Sequence, residues 1–187
     1  DGCSAVIGGG FDAFGYRLSI IPAEAFFADV VFLVEGVSEE LFYKTLAHQI
    51  GIDLDRLNIS VLMVDGIGFG TFIQILNSLG IQWVLRTDND IFKVPNKAEF
   101  RFAGIGRCVG FYRKYYKKQD GTEKILTEHE TNLKGFPNLE PEPANKVSAN
   151  KVITELEKYR MYLAQVDLET DLLNSPISED LQIFFSS

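Results

Sequence analysis

Three short apolar runs, Val30 to Val34, Ile59 to Val64 and Ile81 to Leu85, constrain the fold of this chain more than any other feature. They are rich in β-branched residues and too short for a buried helix, which is the pattern of strands covered on both faces. Between them lie segments with helical spacing. In the first, Ser38 is placed to cap, Glu39 and Glu40 occupy the first turn, Phe42, Leu46 and Ile50 recur every four residues, and Gly51 closes the helix. In the second, Phe69, Phe72, Ile73, Leu76 and Leu79 share a face and Gly80 is the stop. Strand, helix, strand, helix, strand at this spacing predicts an α/β fold, with right-handed crossovers and a parallel sheet.

A further run, Met161 to Val166, supplies a fourth strand, and Glu24 to Ala28 suits a single helical turn. The middle is less regular. Ile105, Cys108, Phe111, Tyr112 and Tyr115 keep helical spacing and predict a helix over 104–118, whereas Asp120 to Asn145, with Pro137, Pro141 and Pro143, reads as a long exposed excursion. Residues 1–22, with Gly8-Gly9-Gly10, read as a connecting segment. The length of 187 residues suffices for one domain with a proper core, and no apolar run approaches the roughly 20 residues of a membrane span. With no signal-peptide pattern at Asp1-Gly2-Cys3, the expected compartment is the cytoplasm, without membrane association. Cys3, Cys108, His48 and His129 are isolated, which argues against zinc.

Parallel sheets bring the C-terminal ends of their strands to one edge, where ligands bind. Three of the four expected strands lead into acids there: Glu35 and Glu39 after the first, Asp88 and Asp90 after the third, Asp167 and Glu169 after the fourth. Carboxylates crowded together repel unless a cation lies between them, and oxygen donors favour Mg²⁺ or Mn²⁺. Each acid also has an ordinary alternative. Glu39 suits a helix N-terminus, Asp-x-Asp is common in turns, and Asp167 and Glu169 fit the start of a helix at Leu168.

The net charge of −8 is unevenly spread, because the window from Lys93 to Lys124 carries +6 and the remainder −14. Arg107, Arg113, Lys114, Lys117 and Lys118 fall on one face of the expected helix, beside Phe111, Tyr112, Tyr115 and Tyr116. Such a face suits either phosphate contacts with aromatic stacking on unpaired bases, or an ordinary solvated surface over a core.

Val34-Glu35-Gly36 followed by Glu39, the Gly66-Ile67-Gly68 turn after the second strand, and Thr87-Asp88-Asn89-Asp90 after the third together resemble the Toprim domain. The lead-in Ala25-Phe26-Phe27-Ala28-Asp29 and the later Asp167-Leu168-Glu169 are most similar to the overcoming-lysogenization-defect (OLD) nucleases, a set that includes the nuclease subunit of the Gabija anti-phage system. The resemblance implies a Rossmann-like Toprim domain over 24–175 with a basic and aromatic helical insertion at about 93–150, a linker at 1–23 from an ATPase-like region, and a tail at 176–187. It further implies metal-dependent DNA cleavage or nicking in phage defence. Glu35, Asp88 and Asp90 would be catalytic, Glu35 as general acid/base, and the ligands of two Mg²⁺ or Mn²⁺ ions would come from Glu35, Glu39, Asp88, Asp90, Glu169 and Asp167. An ABC-type ATPase domain or subunit, homo-oligomerisation and a helicase are the implied partners besides DNA. The sequence departs from the family in carrying no lysine after Lys158, where a functional one is expected. A non-catalytic metal-binding scaffold or dimerisation module and a primase- or topoisomerase-type Toprim domain are the competing expectations.

Overall fold

The computed structural model describes residues 23–64, 68–116 and 120–178. The Gly8-Gly9-Gly10 segment, Cys3, most of the Gly66-Ile67-Gly68 turn, Lys117, Lys118 and the last nine residues lie outside that set. The chain divides into two compact units, Asp1–Arg86 and Thr87–Ser187.

The described part of the first unit begins with a 3₁₀ turn, Ala23–Phe26, and continues through β1 (Val30–Val34), α1 (Val37–Gln49), β2 (Ile59–Met63), α2 (Phe69–Leu79) and β3 (Gln82–Thr87), whose last residue begins the second unit. β1 runs parallel to β2 from Val30↔Ile59 to Val34↔Met63, and parallel to β3 from Val30↔Gln82 to Leu33↔Leu85. Val31, Leu33, Val34 and Leu85 are fully buried, as expected for strands flanked by crossover helices. α2 buries Phe69, Phe72, Ile73, Ile75 and Leu76.

In α1 the expected inner face is not the observed one. Leu46 and Ile50 are exposed, and the buried positions are Glu39 and Ala47, with Tyr43 half-buried beside Phe32 at a ring separation of 4.9 Å. Both apolar sets have helical spacing, so periodicity could not choose between them; contact with the strand selected the face carrying Tyr43.

The second unit contains β4 (Ile91–Lys93), β5 (Phe100–Phe102), α3 (Ala103–Tyr115), α4 (Asp120–Leu133), β6 (Lys134–Phe136), α5 (Pro143–Glu157), β7 (Met161–Leu163) and α6 (Leu168–Leu173). The strands form a four-stranded parallel sheet in the order β2-β1-β3-β7 and a three-stranded antiparallel sheet in the order β4-β5-β6. α4 occupies much of the stretch that composition suggests is an exposed excursion. Its buried residues are Thr122, Leu126 and Leu133, a stripe thin enough to be hidden among charges, and the three prolines all follow it. Cys108, Tyr112, Val152, Leu156 and Met161 form the buried interior of this unit.

One polar network crosses that interior. The Thr122 hydroxyl donates to Glu155 Oε1 at 2.6 Å and lies 2.8 Å from the Tyr159 hydroxyl, while Lys158 donates to Glu155 Oε2 at 2.6 Å. Burial alone would raise the Glu155 carboxyl, but the hydrogen bonds from Lys158 and Thr122 and the Lys158 charge prevail and hold it below the usual range. Burial pushes the neighbouring Tyr116 phenol up.

Candidate functional site

The acids of the first unit sit where β1 passes into α1. Glu35 follows the strand directly and is half-buried. Gly36 is the N-cap of α1, and its N–H donates to Glu39 Oε2 at 3.1 Å. Glu39 therefore satisfies a backbone donor that the helix itself leaves open, with its negative charge at the positive helix end. Ser38 was the residue expected to cap; it is exposed inside the first turn instead.

In the second unit the Asp88-Asn89-Asp90 turn is locked by its backbone and by Asn89. The Asn89 N–H donates to the Val166 carbonyl at 2.9 Å, the Asn89 side-chain oxygen accepts from the Ile105 N–H at 3.2 Å, and the Asp90 carbonyl accepts from the Ala103 N–H at 2.8 Å. Two open donors of the first turn of α3 are thus spent on the acidic turn. Asn89 is only 2% exposed, while Asp88 and Asp90 on either side are half-buried. Gly104 is what allows this approach, because a Cβ there would come 2.9 Å from Asn89 Cα and 3.1 Å from the Asp88 carbonyl carbon. On the preceding residue, the Thr87 hydroxyl accepts from the Arg107 guanidinium.

Asp167 adjoins the same turn, because its neighbour Val166 is the partner of Asn89. Its carboxylate caps α6, accepting from the Thr170 N–H at 2.7 Å, and Glu169 is exposed in the first turn of that helix. The expectation of a helix starting at Leu168 is met. Among the described residues, no three His, Cys, Asp or Glu side chains are gathered closely enough to hold a metal ion.

The expected nucleic-acid contacts fall into three groups. Arg107 is held at Thr87, and Arg113 is engaged by Glu123 Oε1 at 2.8 Å and by Glu130 Oε2 at 3.8 Å. Lys114 is exposed over the Tyr115 ring at 4.9 Å. Lys117 and Lys118 lie outside the described residues. Two residues that matter to the site, Asn89 and Gly104, carried only weak signals: an amide between two aspartates, and a glycine near a helix start.

Residues 26–90 match the family model described as overcoming lysogenization defect protein-like, Toprim domain. Endonuclease GajA of Bacillus cereus (strain VD045) is 27% identical over 176 residues, covering 91% of this chain, which spans 29% of the length of that relative. Among solved structures, the C-terminal region of the Xanthomonas campestris pv. campestris OLD protein superposes with a TM-score of 0.55 at 24% identity, over 86% of this chain and 62% of the other. The C-terminal region of the Burkholderia pseudomallei OLD protein gives 0.56 at 21% identity, over 83% and 63%. At these identities the two structures speak to the fold.

Proposed function

We propose, from the premise that residues 26–90 of this chain are an OLD-like Toprim domain, that it is the nuclease portion of a metal-dependent DNA endonuclease, cutting or nicking phosphodiester bonds in phage defence. The observation that carries this reading is that the matched span contains Glu35, Glu39, Asp88 and Asp90. In the first unit β1 and β3 run in parallel register, and each leads at its C-terminal end directly into its acidic segment.

The donors fit a hard divalent cation by their chemistry, since all six proposed ligands are carboxylates. Mg²⁺ commonly takes only one or two protein carboxylates and completes its shell with water and substrate phosphate, so a three-carboxylate cage is not needed before substrate arrives. Asp88 and Asp90, held by the Asn89 anchor, would be its principal ligands, Glu35 and Glu39 are the further proposed ligands, and Asp167 and Glu169 would serve a second ion. A bound divalent ion supplies an activated water and stabilises the departing oxygen of the phosphodiester. Glu35 would accept the proton of the attacking water. An ABC-type ATPase in the parent chain or in a separate subunit, a helicase and further copies of the chain belong to the same proposal, as does a cytoplasmic location; no helix among the described residues is long and apolar enough to cross a membrane.

Incubating the full chain with supercoiled plasmid and Mg²⁺ or Mn²⁺ tests the proposal. Nicked or linear plasmid is expected, and it should disappear in Glu35→Gln and Asp88→Asn with the fold intact. Saturable Mn²⁺ binding by calorimetry without any cut plasmid would favour the non-catalytic scaffold. Absence of binding would remove both.

A further inference from the structure

The antiparallel sheet of the second unit has one face against apolar neighbours and one toward solvent. Phe102 and Phe136 are buried with rings 5.2 Å apart. The opposite face carries Phe92, Arg101 and Lys134, one from each strand, aligned across the sheet: Phe92 pairs with Arg101, and Arg101 pairs with Lys134. That alignment depends on a bulge. Phe100 opposes Phe136, so regular pairing would put Gly135 opposite Arg101; the register slips there and Lys134 takes the position. Gly135 has a φ of +79°, a conformation that bulges of this kind reserve for glycine.

The outward face of an antiparallel sheet is ordinarily polar. Phe92 breaks that pattern with 52% of its surface exposed. Arg101 beside it is exposed and makes no side-chain hydrogen bond or ion pair among the described residues. Lys134 is paired with Glu130 at 2.7 Å, but both side chains are largely in water, where such a pair is weak and a phosphate can displace it. The remaining nearby acid, Glu99, is paired with Lys97 at 3.6 Å. An exposed aromatic ring at one end of the row, followed in register by two cations, is an arrangement that can stack an unpaired base and take the successive phosphates leading away from it. A duplex hides its base faces and has no use for the ring.

We propose that the Phe92–Arg101–Lys134 row is a binding surface for single-stranded DNA, with Phe92 stacking on a base and Arg101 and Lys134 contacting the adjoining phosphates. The choice of DNA as the ligand rests on the cleavage reading above; the row itself uses none of the acidic side chains proposed as metal ligands.

The test is fluorescence anisotropy of the full chain with a labelled single-stranded oligodeoxynucleotide, the matching duplex and the matching oligoribonucleotide, in EDTA so that cutting cannot contribute. The single-stranded DNA should bind tightest. Phe92→Ala should weaken it about 10-fold and leave the duplex unchanged, while Phe92→Tyr retains affinity. Arg101→Ala should weaken single strand and duplex alike and reduce the salt slope by about one. Phe92 and Arg101 are exposed, and circular dichroism verifies that each variant is folded. Equal affinity of Phe92→Ala and the parent, a preference for duplex or for RNA, or no binding at all would overturn the proposal. Binding without plasmid cutting in Mg²⁺ would remove the cleavage reading and leave this surface standing. Cutting with an unaltered Phe92→Ala affinity would do the reverse.

Discussion

Gly104 lies so close to Asn89 that a methyl group added to it would come 2.9 Å from the Asn89 Cα, backbone against backbone with no flexible side chain to give way. Gly104→Ala therefore has to push α3 off the acidic turn. We expect a loss of about 1–3 kcal/mol in denaturant unfolding, together with loss of plasmid cutting, although the position carries no functional group. Unchanged stability and cutting would show that the turn tolerates displacement.

Asn89 anchors the same turn from the other side. Its side-chain oxygen accepts from the Ile105 N–H, and removing such a cap costs about 1–2 kcal/mol. Asn89→Ala should lower stability by that amount, measured by urea unfolding, and should also weaken Mn²⁺ binding, because Asp88 and Asp90 would lose their common support.

Glu39 has two roles to separate. Its carboxylate holds the Gly36 N–H at 3.1 Å, and an amide oxygen in Glu39→Gln can accept the same bond without the charge. We expect this variant to lose only the charge contribution at the helix end, about 0.3–1 kcal/mol of stability, yet to lose about 10- to 100-fold in metal affinity, the scale of losses around metal sites. Unaltered Mn²⁺ affinity would reduce Glu39 to a capping residue.

The Glu155 carboxyl is held below its ordinary range in the folded chain, so its contribution is complete above the unfolded carboxyl value of about 4.3 and is lost as the pH falls through the lower folded value. Acid unfolding followed by circular dichroism should thus show a shallower decline below about pH 4 in Glu155→Gln than in the parent. Thr122→Val leaves Glu155 Oε1 without its buried donor and should cost about 1–3 kcal/mol near neutral pH.

What could be read from the sequence follows from range. The β1, β2 and β3 runs and the acids that follow them are legible because strand burial and chain adjacency are local properties. The buried face of α1 was not, since Leu46 and Ile50 repeat as regularly as Tyr43 and Ala47. Nor was the cap of α1, where a carboxylate three residues on outcompeted the nearer Ser38. The strands of the small sheet are three residues each, too short for any alternation to declare itself. The anchor on the acidic turn spans the 16 positions between Asn89 and Ile105, and no pattern in either segment announces the other.

The first turn of α3 takes its missing partners from Asn89 and Asp90, and in return fixes the loop that carries the aspartates. Trimming away β4 and β5 with the start of α3 to obtain a minimal catalytic body would accordingly unfasten the very residues such a truncation was meant to isolate. The segment that looks dispensable in a family comparison is a structural buttress of the site.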